Sequence, residues 1–298
     1  MTSNSKTSFW GRIRSRLAKK IRRLRQSGRK PAAPLPIIDG WEQSSALFML
    51  STGRSGTDTA HRLYSLSAQI LALHEPAPRL AQERKQAFLG VHSDPARFES
   101  IFRTNRAGLV STAVQQSKAY VETSARMTFF APVIERVMPN ARFLFLHRHP
   151  ADVVRSGMRR GWYVDHVDDR DRIVPAPDSV AGQAWSGWSQ FEKICWYWDA
   201  YNRFALDWID SLAPEQVARV LTLGSNDLFH ADERTSAALF GLVDRQPPPA
   251  EVVAECLGTK HNAQHGGDFP QIKAWSAHER RILWSTVGET AARLGYEQ

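Results

Sequence analysis

Apolar positions run along this chain in two alternating rhythms. Short unbroken runs read as buried strands, and steps of three and four read as helices. The run "ALFMLST" predicts a strand over Ala46–Thr52, and a helix follows over Thr57–Leu66. Ile70–His74 reads as a second strand, Ala96–Gln116 as a helix and Ala119–Glu122 as a short strand. Thr128–Met138 reads as a helix ended by Pro139 and Asn140. "ARFLFLHR" (141–148) is the clearest strand, with a helix over Ala151–Arg160 behind it. Val217–Leu223 reads as a late strand and Ser276–Leu294 as a closing helix. Such alternation predicts an α/β fold, a mostly parallel central sheet with helices on both faces. Ligands of such sheets bind at the carboxyl ends of the strands.

The chain before this pattern is different. Trp10, Ile13, Leu17, Ile21 and Leu24 mark one helical face, and eight Lys and Arg residues from Arg12 to Arg25 lie among and just after them. From Met1 to Ile38 there are eleven basic residues and no acidic one. The net charge of +9 therefore belongs to this arm, because the remaining 28 basic and 30 acidic residues nearly cancel. Residues 1–30 fit a basic amphipathic helix on an anionic membrane surface, with a solvated tail as the alternative. "GRKPAAPLP" (28–36) reads as a linker, since its prolines cannot continue a helix. The predicted division is an arm and linker over 1–40 and one domain over 41–298. A charge-based case for nucleic acid applies only to the arm, so no specific nucleic-acid partner is expected.

The 298 residues suffice for a full core, and 42% of them are hydrophobic. Cys195 and Cys256 are the only cysteines, too few for a disulfide framework. No apolar run is long enough to span a bilayer, and the arm lacks the apolar segment of a secretory signal. The expected location is the cytoplasm, with the inner membrane surface as a candidate resting place for the arm.

The chemistry concentrates in "STGRSGTDT" (51–59), which joins the first strand to the first helix. Two glycines allow tight backbone approach, and the leading N–H groups of the helix can hold phosphate or sulfate oxygens. Ser55, Thr57 and Thr59 add hydroxyls, and Arg54 adds a planar donor fork. A nucleotide-triphosphatase loop needs a lysine after its last glycine, but Thr57 follows Gly56. The later strand should end in a metal-binding Asp, yet "FLFLHRHP" ends in His147, Arg148 and His149. ATP or GTP with magnesium is disfavoured on both counts.

With these residues the sequence resembles the sulfotransferases that use 3′-phosphoadenosine 5′-phosphosulfate (PAPS). "GRSGT" resembles their first signature, which grips the 5′-phosphosulfate. "RHPADVVRS" resembles the second, which grips the 3′-phosphate, with Arg148, Pro150, Asp152 and Ser156 matching. The resemblance extends over most of residues 45–297 and implies a P-loop-like sulfotransferase architecture, with PAPS as donor and no metal. It implies donor binding by Arg54, Ser55, Gly56, Thr57, Asp58, Arg148 and Ser156, and by Lys260 in "KHNAQ" (260–264). Asp58 departs from the relatives, which often carry Thr or Ser there. Its carboxylate suits the first helical turn and is expected to point away from the donor.

Sulfuryl transfer needs charge stabilisation and a base for the acceptor proton. Arg54 would steady the charge. Glu75 in "LALHEPAP" ends the second strand and is the candidate base, because sulfotransferases acting on carbohydrate or protein hydroxyls often place a Glu at this point. His74 is its competitor. Neighbouring strand residues point to opposite faces, so only one of the two is expected to reach the acceptor. Glu122 in "YVETS" is a second-choice base, an acceptor-positioning group or a structural ion pair. The stretch 191–204 carries Phe191, Cys195, Trp198 and Asn202 on one helical face, read as core rather than as a sugar platform. The charged stretch 161–178 reads as a lid, an acceptor wall or a disordered loop. The expected activity is transfer from PAPS to a hydroxyl-bearing acceptor, a carbohydrate or glycolipid. The alternatives are a nucleoside or sugar kinase and a membrane-recruited nucleotide-binding protein without catalysis.

Overall fold

The computed structural model describes residues 35–258 and 267–298. The basic arm before residue 35 and Lys260 lie outside the described residues. Among the described residues there are five strands: β1 (Ala46–Leu50), β2 (Ile70–Leu73), β3 (Ala119–Glu122), β4 (Arg142–His147) and β5 (Val220–Gly224). They form one all-parallel sheet in the order β2-β3-β1-β4-β5. The mostly parallel α/β fold expected from the pattern is the fold observed.

β1 lies at the centre and every one of its residues is buried, which is why its sequence is unbroken apolar. Leu47 and Met49 share a core cluster with Leu144, Leu146 and with Ala60, Leu63 and Tyr64 of helix α1 (Thr57–Ser65). Phe48 and Leu50 join the other cluster, with Phe143, Phe145 and Trp198. The strand period of two thus sorts alternate residues into two cores, one per face.

Boundaries shift where a local bond competes with the pattern. The late strand starts at Val220 rather than Val217, because Pro214–Val217 is a short helix whose Gln216 Oε1 accepts from the Ala213 N–H at 2.8 Å. The helix expected over 128–138 is 3-10 over Ala125–Phe130 and α-helical only over Ala131–Val137, where Pro132 suits the first turn. Helix α2 (Ala81–Gly90) gave no signal, since it has no continuous apolar stripe. Further on lie α3 (Pro95–Gln115), α4 (Ala131–Val137), α5 (Pro150–Met158) and α6 (Gln190–Asp210). Phe191, Cys195, Trp198 and Asn202 of α6 are all buried, as the core reading expected. Among the described residues no helix is long and apolar enough to cross a membrane.

Candidate active site

Residues 51–56 turn from the carboxyl end of β1 into α1. Gly56 stands at the N-cap with φ 105°, a conformation that disfavours any side chain. A Cβ there would lie 2.9 Å from the Phe229 ring. Glycine also offers no side-chain cap, so the leading N–H groups of α1 are open to a ligand anion. The loop is held from outside. Tyr197 Oη donates to Thr52 O at 2.8 Å, and Ser225 Oγ lies 2.6 Å from Ser55 O and 2.9 Å from His147 O.

Ser55 is fully buried, and its hydroxyl lies 3.1 Å from Thr52 Oγ1 and 3.3 Å from Gly53 O. That side chain supports the loop; only its backbone is left for a ligand. Asp58 Oδ2 accepts from Arg62 Nε at 3.0 Å, an i,i+4 pair that draws the carboxylate along α1.

The two segments singled out in the sequence meet here. Arg54 Nε donates to Ser156 Oγ at 3.1 Å, and Arg148 Nη1 donates to Arg54 O at 3.0 Å. Pro150 opens α5, with His149 as its cap, which carries Ser156 two turns on. Arg54 adopts φ 62°, rare for a residue with a side chain. Burial, then the neighbouring charges of Arg160 and Arg148, lowers its pKa to about 10 against the opposing pull of Asp58. A guanidinium this crowded by cations is poised for an anion.

A cavity of about 400 Å³ opens over the loop. Arg54, Arg84, Arg126, Arg148, Arg160 and Arg172 line it, against only three carboxylates, Asp58, Glu75 and Asp168. Gly56, Thr57 and Thr59 line it too, as do the rings of Trp162, Tyr197 and Phe229. Trp162, His166, Asp168 and Arg172 make the 161–178 stretch a wall of the cavity. Arg172 braces that wall, pairing with Asp169 at 3.0 Å and stacking 4.2 Å over Trp162.

Glu75 and His74 both line the cavity. Strand alternation would turn them to opposite faces, but β2 ends at Leu73 and Glu75 has φ 45°, so both line the cavity. Strand alternation no longer applies there. Glu75 Oε2 sits 2.5 Å from Arg126 Nη1. Burial pushes this carboxyl up, but the charge and hydrogen bond of Arg126, with His74 and Arg79 adding, hold it below its ordinary range. His74 Nδ1 lies 2.8 Å from Thr123 O. A carbonyl only accepts, so Nδ1 carries a proton, and in the neutral tautomer Nε2 is the acceptor. Glu122 is elsewhere. It is fully buried, takes 2.7 and 2.9 Å bonds from Arg106 of α3, and accepts from Tyr120 Oη at 2.7 Å. Of its three expected readings, base, acceptor-positioning group and structural ion pair, this geometry is the ion pair.

A family model described as "Sulfotransferase family" matches residues 46–221. The chain belongs to the sulfotransferase family. The match spans the loop, Glu75 and the Arg148–Ser156 segment of this sulfotransferase, and ends in β5. Solved structures similar to it include a sulfotransferase domain from the curacin biosynthetic pathway, at 16% identity and TM-score 0.49 over 85% of this chain and 98% of that one. The sulfotransferase domain of the Synechococcus PCC 7002 olefin synthase is 13% identical with TM-score 0.49, over 91% and 98%. A sulfotransferase from Mycobacterium avium is 14% identical with TM-score 0.48, over 85% and 77%. No curated protein matches in sequence. The arginines at 84, 126, 160 and 172 escaped the sequence reading of this family member. Arg126 alone had a signal, four residues beyond the carboxyl end of β3.

Proposed function

We propose that this sulfotransferase moves the sulfuryl group of PAPS to an acceptor hydroxyl on a carbohydrate or glycolipid. The observation that carries the reading is the meeting of Arg54, Ser156 and Arg148 at the open N-terminus of α1. That arrangement suits a ligand with phosphate or sulfate groups at two ends. Backbone N–H groups of residues 55–59, with Thr57 Oγ1 and Arg54, would take the 5′-phosphosulfate. Arg148 and Ser156 would take the 3′-phosphate, and Lys260 would join them. The Phe229 ring offers a flat apolar face for the adenine.

The donor supplies the sulfuryl group: the acceptor oxygen bonds to sulfur as the bond to the 5′-phosphate oxygen breaks, adenosine 3′,5′-bisphosphate leaves, and the acceptor proton goes to a base. Glu75 is that base in the primary reading, since its carboxylate is ionised at neutral pH and lines the cavity. Glu75 followed by Pro76 resembles the arrangement in carbohydrate sulfotransferases and supports a sugar hydroxyl as acceptor. A second reading assigns the proton to His74, favoured by the bond to Thr123 O that leaves Nε2 as acceptor. The basic stretch 1–30 would hold the protein on anionic membrane in the cytoplasm, a contact that salt should weaken.

Calorimetry with adenosine 3′,5′-bisphosphate and with ATP tests the donor; tighter binding of ATP would favour a kinase. Incubation with labelled PAPS and a cell extract tests the activity. Donor binding without any transfer would leave a binding protein.

A further inference from the structure

Pairing the cavity's charges separates its two sides. Among the described residues, Arg126 is paired with Glu75, Arg148 with Asp152 and Arg172 with Asp169. Arg54, Arg160 and Arg84 line the cavity and, among the described residues, have no carboxylate within ion-pair distance. Arg54 and Arg160 stand together at the loop, where the donor's phosphates and sulfate account for them. Arg84 stands apart from them. It projects from α2 on the side of Glu75 and of Tyr163, Tyr197 and Tyr201.

Arg84 is also unusually placed for a guanidinium. It is only 8% exposed, and its Nε has no hydrogen-bond partner among the described residues. Its one hydrogen bond among the described contacts is from Nη2 to the Asp171 carbonyl, at 2.5 Å. Nearby Arg126, 7% exposed, likewise has an Nε without a partner among the described residues. A buried cation left without an anion is strongly unfavourable. Two buried guanidinium groups with donors unused at the wall of an open cavity call for an anion from outside the chain.

We propose that the acceptor itself is anionic: a hydroxyl compound whose carboxylate, phosphate or sulfate ester is held by Arg84, with Arg126 beside it, on the Glu75 side of the cavity. This rests on the sulfuryl-transfer reading for the identity of the other ligand. It adds the substrate's charge, which that reading leaves open. Arg84 and Arg126 act as specificity residues. They fix the acceptor by its anionic group so that its hydroxyl faces the base, and they discriminate against neutral alcohols by leaving a buried cation unpaired.

The test uses inorganic sulfate as the probe, on full-length protein saturated with adenosine 3′,5′-bisphosphate, with sodium chloride holding ionic strength constant. Sulfate should raise the melting temperature above the chloride control. In Arg84→Gln the apparent sulfate affinity should fall at least about ten-fold, as the loss of a charged hydrogen-bonding group implies. The shift caused by adenosine 3′,5′-bisphosphate itself should remain. Wild-type protein that sulfate stabilises no more than chloride would overturn the proposal, whether or not the variant folds. So would a sulfate shift that survives Arg84→Gln, which would belong to the position vacated by the sulfuryl group. Arg84→Lys, which keeps the charge but not the fork, should retain part of the shift. A second arm separates an extract on an anion exchanger before reaction with labelled PAPS. Label should enter compounds of the retained fraction, and their masses identify the anionic group. Label confined to neutral compounds of the flow-through refutes the anionic acceptor while upholding transfer. Absence of the nucleotide shift counts against the donor reading instead, with the sulfate comparison still read by itself.

Discussion

The donor side of the cavity and the base side are built by different means. The donor side is a strand, a glycine turn and a helix N-terminus in one contiguous stretch, joined by Arg148 and Ser156 from the next strand and helix. The groups proposed to hold the donor there are largely backbone N–H. The base side gathers single side chains from separate places: Glu75 after β2, Arg84 on α2, Arg126 after β3 and Arg172 on a long loop. A backbone cradle constrains residue types closely, because only glycine tolerates φ 105° with a ring 2.9 Å from where a Cβ would stand. A side-chain cluster constrains only where its members end up, so it can be re-cut for different acceptors without disturbing the donor.

The largest expected effect separates the two sides directly. Glu75→Gln should cut sulfate transfer by roughly 10²–10⁴, the usual worth of a general base, while calorimetry shows donor binding nearly intact. Because the Glu75 carboxyl titrates below its ordinary range, its basic form persists as pH falls from 8 to 5, and kcat should stay level across that window. Activity lost within the window, together with inactive His74→Ala and active Glu75→Gln, would move the base to the imidazole.

Glu122 sharpens the same contrast, since it ends the strand beside the one Glu75 follows, with Leu73 and Glu122 in register. Removing its partner by Arg106→Ala strands a buried carboxylate and should cost about 3–5 kcal/mol in urea unfolding. Donor affinity per folded molecule should be unchanged. A stable Arg106→Ala protein with impaired turnover would return Glu122 to the site.

Acid should weaken the fold through a group near the donor side. His147 ends β4, shares a 2.8 Å hydrogen bond with Tyr296 Oη, and is lowered by burial to about 4, with Asp227 opposing. Between the ordinary value near 6.5 and about 4, the unfolded chain binds a proton that the folded one refuses. Stability is therefore full above that window and falls as pH drops through it, by up to about 3 kcal/mol. Unfolding midpoints of His147→Gln should fall less steeply over the same range than those of the wild type.

Arg148→Ala should have the smallest effect, about 1.5–3 kcal/mol on adenosine 3′,5′-bisphosphate binding. Adenosine 5′-phosphosulfate, which lacks the 3′-phosphate, should be affected much less. Equal losses for both ligands in calorimetry would show that Arg148 does not read the 3′-phosphate.

The sequence by itself determined the parallel α/β fold, since buried central strands must be unbroken apolar runs and the helices between them must keep a 3.6-residue face. It also singled out the glycine loop and Arg148, because phosphate-type ligands need glycine, a helix start and a guanidinium at set spacings, and the structure brings the two together. The cation-rich wall was decided only by the tertiary structure. Arg84 sits in a segment whose local pattern says nothing of a site, and α2 has no apolar stripe to announce even the helix; Arg126 had only its place just past the end of β3. The facing of His74 and Glu75 was decided there too, by a left-handed backbone at Glu75 that strand alternation does not foresee. Glu122 looked like Glu75 in sequence, each ending a strand at the ligand edge. One is buried against Arg106 and the other opens on the cavity, and only the packing of α3 on the sheet separates them. Local sequence specifies dihedrals and burial period; it does not specify which distant charge will lie beside a given carboxylate.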